Sequence, residues 1–379
     1  MIIKTKIFNT IHEVPKKQWH HILKSNHSMA YNYEFWEVIE GSKLNDFSYK
    51  YVIFYNSDDI PVALTCFYTV TTDMAIFASK KLRFILQKIR KTFPNFLIIT
   101  MLECGTPITL NGPIVLGDES SSNNTIQALI ELLIYTAKQQ RHFLIVVRDF
   151  EPASHSLPTL FKQAGFHFVD SLPTTYMDIA WTTSNDYLSS MKSYYRSKLI
   201  KHLSINKKQG VSHELLEDFA DLAETLCEQW LVVHNHASEY QREILTPEFY
   251  REFSLKLGSH SKVLLFYRDT KLIGHALLLM DGHLLRWLYF GRKDACNDSL
   301  YIYVAHKVIE TAILLGAKRL ELGLTTYPIK KDLGAYMSPI KLALRSPLTF
   351  INPFISLVYP LLNHRTRIQN KTIFKKIVS

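Results

Sequence analysis

The chain lacks most of the short signatures that assign a function at sight. Its four cysteines, Cys66, Cys104, Cys227 and Cys296, stand far apart. None falls in a CxxC pair or at metal-ligand spacing, which points to free thiols in a reducing compartment. His234 and His236 are two residues apart, whereas two ligands on one helix face need a spacing of four, so no zinc site is read and no metal is expected. The first residues, MIIKTKIFNTIHEV, contain no apolar segment of the kind a secretory signal requires. No apolar run reaches the roughly 18 residues of a membrane-crossing helix. There is no P-loop, no nucleophile elbow and no paired-carboxylate motif. These gaps speak against nucleotide hydrolysis, covalent serine or thiol catalysis and carboxylate-pair hydrolysis.

Acidic residues are also missing from whole stretches. In 379 residues there are 44 Lys and Arg against 34 Asp and Glu, a formal charge of +10. Residues 80–91 (KKLRFILQKIRK) hold six basic residues and no acid, and residues 187–213 hold six more with none. After Asp332 no Asp or Glu occurs, while seven Lys or Arg do. Such clusters suit an anionic partner: a membrane surface, a phosphorylated donor such as coenzyme A, or tRNA. Solvated helix faces account equally well for any one of them. The apolar stretch SPLTFINPFISLVYPLL, residues 346–362, is interrupted by three prolines and followed by basic residues. It fits a bilayer interface or the protein's own core. A cytoplasmic location is expected, with a peripheral position at the inner membrane.

What is present is a globular composition, 47% hydrophobic and 21% charged, and a repeated pattern. YVIFYNSDDIPVALTCFYTV, from residue 51, is a β-rich run, a polar turn and a second β-rich run; KVLLFYRDTKLIGHALLLMDGHLLRWLYFG, from residue 262, has the same arrangement. In each half a helical pattern follows (TIQALIELLIYTAKQQ and SLYIYVAHKVIETAILLGA), then a strand (HFLIVVRD and KRLELGL). A meander, a helix packed on it and a further strand form the core of a GNAT-like fold. The expected architecture is therefore α/β: two tandem GNAT-like domains, each a mixed, mainly antiparallel sheet flanked by helices. The expected boundaries are 1–182, 183–345 and a tail over 346–379. Residues between the halves read as two helices broken near Gly210.

Several segments resemble the FemAB-like (also called BioF2-like) branch of the GNAT superfamily. Trp19 followed by AYNYEFWEVIEGS is similar to its aromatic opening helix, and CGTPITLNGPIVL to its first-domain loop. SYYRSKLIKHL resembles its arginine-bearing helix and puts Arg196 on that position; ELGLTTYPIKKDLGA resembles its closing loop. The resemblance implies two GNAT-like domains and transfer of an acyl or aminoacyl group to an amine. Fem enzymes take aminoacyl-tRNA as donor; other members use acyl thioesters, and some relatives N-acylate a long-chain base.

Acyl transfer to an amine needs a neutral amine, a stabilised oxyanion and a proton for the leaving group. Lys330 is the expected oxyanion or phosphate partner, Tyr327 and Tyr289 the candidate proton donors, and Glu321 the candidate base. A GNAT donor site uses a glycine-rich turn at a helix N-terminus. Here the turn is GRKDACNDSLY, glycine-poor, with Arg292, Asn297, Asp298 and Ser299 as the donor-binding candidates. Arg196 and Tyr194 on the basic helix, with Glu103 and Asn111 in the first domain, are candidates for the acceptor or its phosphate. The expected donor is acyl-CoA or an acyl carrier protein thioester, with no tightly bound cofactor, attacked directly by the amine. Two alternatives stay open: an aminoacyl-tRNA-dependent transferase, and a non-catalytic GNAT-like binding module.

Overall fold

The computed structural model describes residues 2–23, 28–78, 80–117, 122–152, 157–237, 243–294, 299–362 and 371–375. They fold into two compact units: residues 1–172 with 238–244 and 339–366, and residues 173–237 with 245–338 and 367–379.

The first unit runs β1 (Lys4–Phe8), α1 (Lys16–Leu23), α2 (Tyr33–Gly41), β2 (Ser48–Tyr55), β3 (Pro61–Asp73), α3 (Lys80–Arg90), β4 (Ile98–Cys104), β5 (Val115–Leu116), α4 (Ser122–Gln139), β6 (Leu144–Phe150), α5 (Leu157–Gln163) and β7 (His167–Asp170). The second runs β8 (Thr174–Asp178), α6 (Ser184–Ser190), α7 (Ser193–Lys208), β9 (Val211–Leu216), α8 (Ala223–His236), α9 (Pro247–Leu257), β10 (Ser261–Arg268), β11 (Lys271–Asp281), β12 (Leu284–Arg292), α10 (Leu300–Leu314), β13 (Arg319–Gly323), α11 (Tyr327–Asp332) and β14 (Tyr336–Ser338). β15 (Lys341–Arg345) and α12 (Asn352–Leu362) then return to the first unit.

The two sheets share one plan. Their orders are β1-β2-β3-β4-β6-β15-β7 and β9-β10-β11-β12-β13-β8-β14, with β5 paired to β3 beside the first path. In each, four strands form an antiparallel meander, the fifth runs parallel to the fourth, and the last two are antiparallel again. The repeat read from the sequence is thus a real duplication of a mixed α/β unit.

Local chemistry explains the elements. On α4 the apolar Ile126, Leu129, Ile130, Leu133 and Ala137 recur at helical spacing and close over Val52, Phe54, Leu102 and Ile145 of the sheet. In the second unit α10 buries Val304, Ala305, Val308, Ile309 and Ala312 against Leu264, Phe266, Leu278 and Leu285. Thr246 caps α9 by accepting from Phe249 N, and Pro247 fills its first turn, where no N–H is missed. Gly282, at φ 61, makes the tight turn between β11 and β12, a conformation glycine adopts without steric cost.

Three boundaries differ from those expected. The second unit starts at Pro173 and not near residue 182, because β8 pairs with β13 and β14. Residues 341–345 belong to the first sheet as its sixth strand, and α12 packs on β7 and β15, so the expected 183–345 domain and separate tail give way to this return. His213–Leu216, expected to open the second helix, lies in the edge strand β9 (Val211–Leu216), whose backbone pairs with β10. The basic residues beyond Leu362 lie largely outside the described residues. No helix among the described residues is long and apolar enough to cross a membrane.

Candidate active site

The second unit opens where its two parallel strands part. β12 and β13 pair only over Leu284–Arg286 and Arg319–Glu321. Just beyond, the register against β11 shifts: Trp287 faces Leu278 while Tyr289 faces Leu277, which leaves Leu288 as a bulge. β13 continues to Gly323 and pairs instead with β8. The chain then passes through three left-handed residues, Gly323 (φ 71), Thr325 (φ 64) and Thr326 (φ 50). Two β-branched residues in that region store strain of order 1–3 kcal/mol each.

Lys330 lies in the turn of helix that follows. Its side chain is 2% exposed and folds back to the end of β13, where Nζ donates to Leu324 O at 2.6 Å and Gly323 O at 3.1 Å. A third N–H has no partner among the described residues. Burial lowers the pKa of this amine to about 7, against the opposing pull of Glu321. The residue expected to meet an oxyanion or a phosphate is therefore an interior amine that titrates near neutral pH.

Glu321 is close to Lys330 but committed elsewhere. Its Oε2 accepts from Arg286 Nη1 at 2.5 Å, and its Oε1 from Thr174 Oγ1 at 3.2 Å. Arg286 also donates from Nε and Nη2 to Asp281 Oδ2, at 3.0 and 2.9 Å. Burial works against the Arg286 charge, yet Glu321 and Asp281 outweigh it and hold the guanidinium protonated. With Oε2 on Arg286 and Oε1 on Thr174, Glu321 is the buried counter-ion of Arg286 and has both oxygens hydrogen-bonded.

The tyrosines divide. Tyr327 OH donates to Pro173 O at 2.9 Å, so its proton is held by the backbone. Tyr289 packs edge-on against Trp230 and Phe249, both at 6.0 Å between centroids. Tyr301, not singled out from the sequence, also lies beside the strained turn: it bonds Thr326 and stacks on Trp287 at 5.5 Å. Burial pushes its hydroxyl up to about 12. Arg286 was missed as well. The signal available was a lone charge inside the apolar run LLRWLYF, which on a buried strand demands a counter-ion.

Of the donor-binding candidates, Asn297 and Asp298 lie outside the described residues. Arg292 is buried at the end of β12, opposite Gly274. Ser299 precedes α10 and hydrogen-bonds His202 Nδ1 on α7 at 2.8 Å, so its hydroxyl does not cap the helix. Burial, and then Lys198 and Lys201, lower the pKa of His202 and keep the imidazole neutral. The shallow depression between α7, α10 and α11 is lined by Tyr195, Lys198, His202, Ile302, Ile329 and Asp332. On α7, Arg196 is half-buried, with no side-chain ion pair or hydrogen bond among the described residues, while Tyr194 is exposed against the edge of Tyr195.

Glu103 and Asn111 belong to the first unit, Lys330 and its neighbours to the second. Glu103 is buried on β4 and accepts from Tyr68 OH at 2.8 Å; Arg148 Nη1 lies 3.9 Å away and donates to Tyr68 Oη at 3.1 Å. Asn111 Nδ2 donates to Ser28 Oγ at 3.0 Å. A second polar cluster thus sits at the C-terminal ends of the parallel pair β4 and β6, the place in the first unit that Lys330 occupies in the second.

Comparison with known proteins agrees with this construction. The family model of FemAB-like proteins, described as peptidoglycan biosynthesis/recognition, matches residues 10–326. A Mycobacterium tuberculosis protein carrying the provisional name 8-amino-7-oxononanoate synthase 2 is 26% identical over 311 residues. That match covers 78% of this chain and 39% of the relative, so the chain spans about two fifths of its length. The structure of FemX superposes with a TM-score of 0.56 at 13% identity, covering 93% of this chain and 99% of FemX. A tandem GNAT protein from the clavulanic acid biosynthesis pathway gives 0.54 at 9% identity, over 92% and 99% of the two chains. The chain belongs to the FemAB-like family and has a tandem GNAT-like fold.

Proposed function

We propose that the chain is an N-acyltransferase that moves an acyl group from a thioester, acyl-CoA or an acyl carrier protein, to the nitrogen of an amine. The carrying observation is Lys330: an interior amine with a pKa of about 7, beside the gap between two parted parallel strands. In the proposed reaction the acceptor nitrogen attacks the thioester carbonyl directly. A C–N bond forms, the C–S bond breaks, the amine loses a proton and the thiolate gains one. A group titrating at neutral pH is suited to moving that proton, and its charged form to stabilising the oxyanion. No tightly bound cofactor is required. A lipid-like amine would present its nitrogen from an anionic membrane surface.

A second reading, a Fem-type transferase using aminoacyl-tRNA, draws on the family match and on α7, a helix without acids where Arg196 has no ion pair among the described residues. A thermal-shift panel of coenzyme A, long-chain acyl-CoA, acyl carrier protein thioester and tRNA separates the two. Stabilisation by an acyl thioester supports the first reading, and stabilisation by tRNA alone the second. Silence towards all four favours a binding module that has lost the glycine-rich donor turn.

A further inference from the structure

The duplication isolates what the first unit carries in addition. In the second unit β11 and β12 are joined by Gly282 and His283 alone. The equivalent strands β3 and β4 enclose residues 74–97, which hold the turn Met74–Phe77 and α3. This insertion buries little. Leu82, Leu86 and Ile89 close over Ala75, Ala78 and Leu97 in a small satellite cluster. Arg90 clamps the insertion to the end of β3 through Asp73, at 2.6 and 2.5 Å.

The outward stripe of α3 is Lys81, Phe84, Ile85 and Lys88, at i, i+3, i+4 and i+7. Phe84 is 59% exposed, Ile85 is exposed beside it, and Lys88 Nζ stands 4.6 Å over the Phe84 ring. Phe93 and Phe96 follow, also exposed. The second addition, α12, packs against the same turn Met74–Phe77 and buries Ile355. It leaves Phe354, Leu357 (69% exposed) and Val358 outside, with Phe350 (71% exposed) just before it. Two elements with no counterpart among the described residues of the other unit therefore both pack on the turn Met74–Phe77, each leaving apolar side chains in water.

We propose that α3 and α12 form a monotopic docking face that seats the first unit on an anionic lipid bilayer. Large apolar side chains rimmed by lysine are the pattern of a segment lying in the headgroup boundary. The charge selects the occupant. Residues 80–91 contain six basic residues and no acid, and the neighbouring Asp73 is already paired with Arg90, so two copies of this face would repel each other. An anionic lipid surface complements it.

The test needs no turnover and no knowledge of the acyl donor, so it fails or succeeds independently of the proposed activity. Flotation is measured with vesicles of phosphatidylcholine alone and of phosphatidylcholine mixed with phosphatidylglycerol. The wild type is expected to float with the anionic vesicles and to be released by salt. The double variant Phe84→Ser/Leu357→Ser, and separately Lys81→Glu/Lys88→Glu, should bind at least about tenfold more weakly with unchanged melting temperatures, because all four side chains are exposed. Equal flotation of wild type and variants would overturn the proposal, as would flotation with neither vesicle. A dimer in sedimentation that Phe84→Ser dissociates would assign the face to a second copy and overturn it too.

Discussion

Lys330 Nζ lies 2.6 Å from the carbonyl oxygen of Leu324, with the residue 2% exposed and its pKa lowered to about 7 by burial. The amine is thereby held at the end of β13 by backbone alone, and its protonation follows solution pH across the neutral range.

That shift has a signature in stability. The folded-state pKa is below the ordinary lysine value of 10.5, so between about pH 7 and 10.5 the unfolded chain binds more protons than the native one. Stability contributed through this group therefore rises with pH over that window, and below it the buried charge weighs on the fold. In denaturant titrations from pH 6 to 10, wild type should gain stability relative to Lys330→Met as pH increases. A constant difference across the series would mean that Lys330 titrates normally.

The Arg286 triad makes a different prediction. Removing the cation in Arg286→Met takes from Glu321 and Asp281 the buried guanidinium that both bind. The expected cost is roughly 3–5 kcal/mol by chemical denaturation. Glu321→Gln keeps Arg286 bound to Asp281 and should cost less. If Glu321 were instead the catalytic base, Glu321→Gln would abolish activity while leaving stability near that of wild type.

At Gly291 the constraint is steric. A Cβ there would stand 2.1 Å from His275 Cε1 and 2.9 Å from Trp230 N. His275 cannot easily yield, being bonded to Gln229 Oε1 at 3.0 Å and to Tyr250 OH at 3.1 Å. Gly291→Ala should lower stability by about 1–3 kcal/mol. In the double variant Gly291→Ala/His275→Ala the two effects should be strongly non-additive, as for any pair in contact. Additive losses would place the strain elsewhere.

Much of this fold was legible because its signals are local. The turns after Asn56 and Arg268 and the β-rich runs on either side announce the hairpins β2–β3 and β10–β11, and the helical spacing in α4 and α10 announces their buried faces. The placement of β8 and β15 was not legible. Each fills the sixth position of a sheet by pairing across long stretches of sequence, as with Arg345 opposite Ile145, and local propensity carries no record of such a partner. The stretch HELLED reads as helix by propensity, and only its pairing with β10 makes His213–Leu216 a strand. Site chemistry divides along the same line. Neighbouring Lys330 and Lys331 look alike in sequence, and only the return of the chain over the end of β13 separates the buried amine from its neighbour.

The central claim is tested most directly by amide formation. Purified protein is incubated with long-chain acyl-CoA or acyl carrier protein thioester and a panel of long-chain and hydrophilic amines, and products are read by mass spectrometry for wild type and Lys330→Met. An N-acylated amine is expected from the thioester donor, at a rate falling about 100-fold or more in a Lys330→Met protein that remains folded. Product formed only from aminoacyl-tRNA, or acylation undiminished by Lys330→Met, would contradict it.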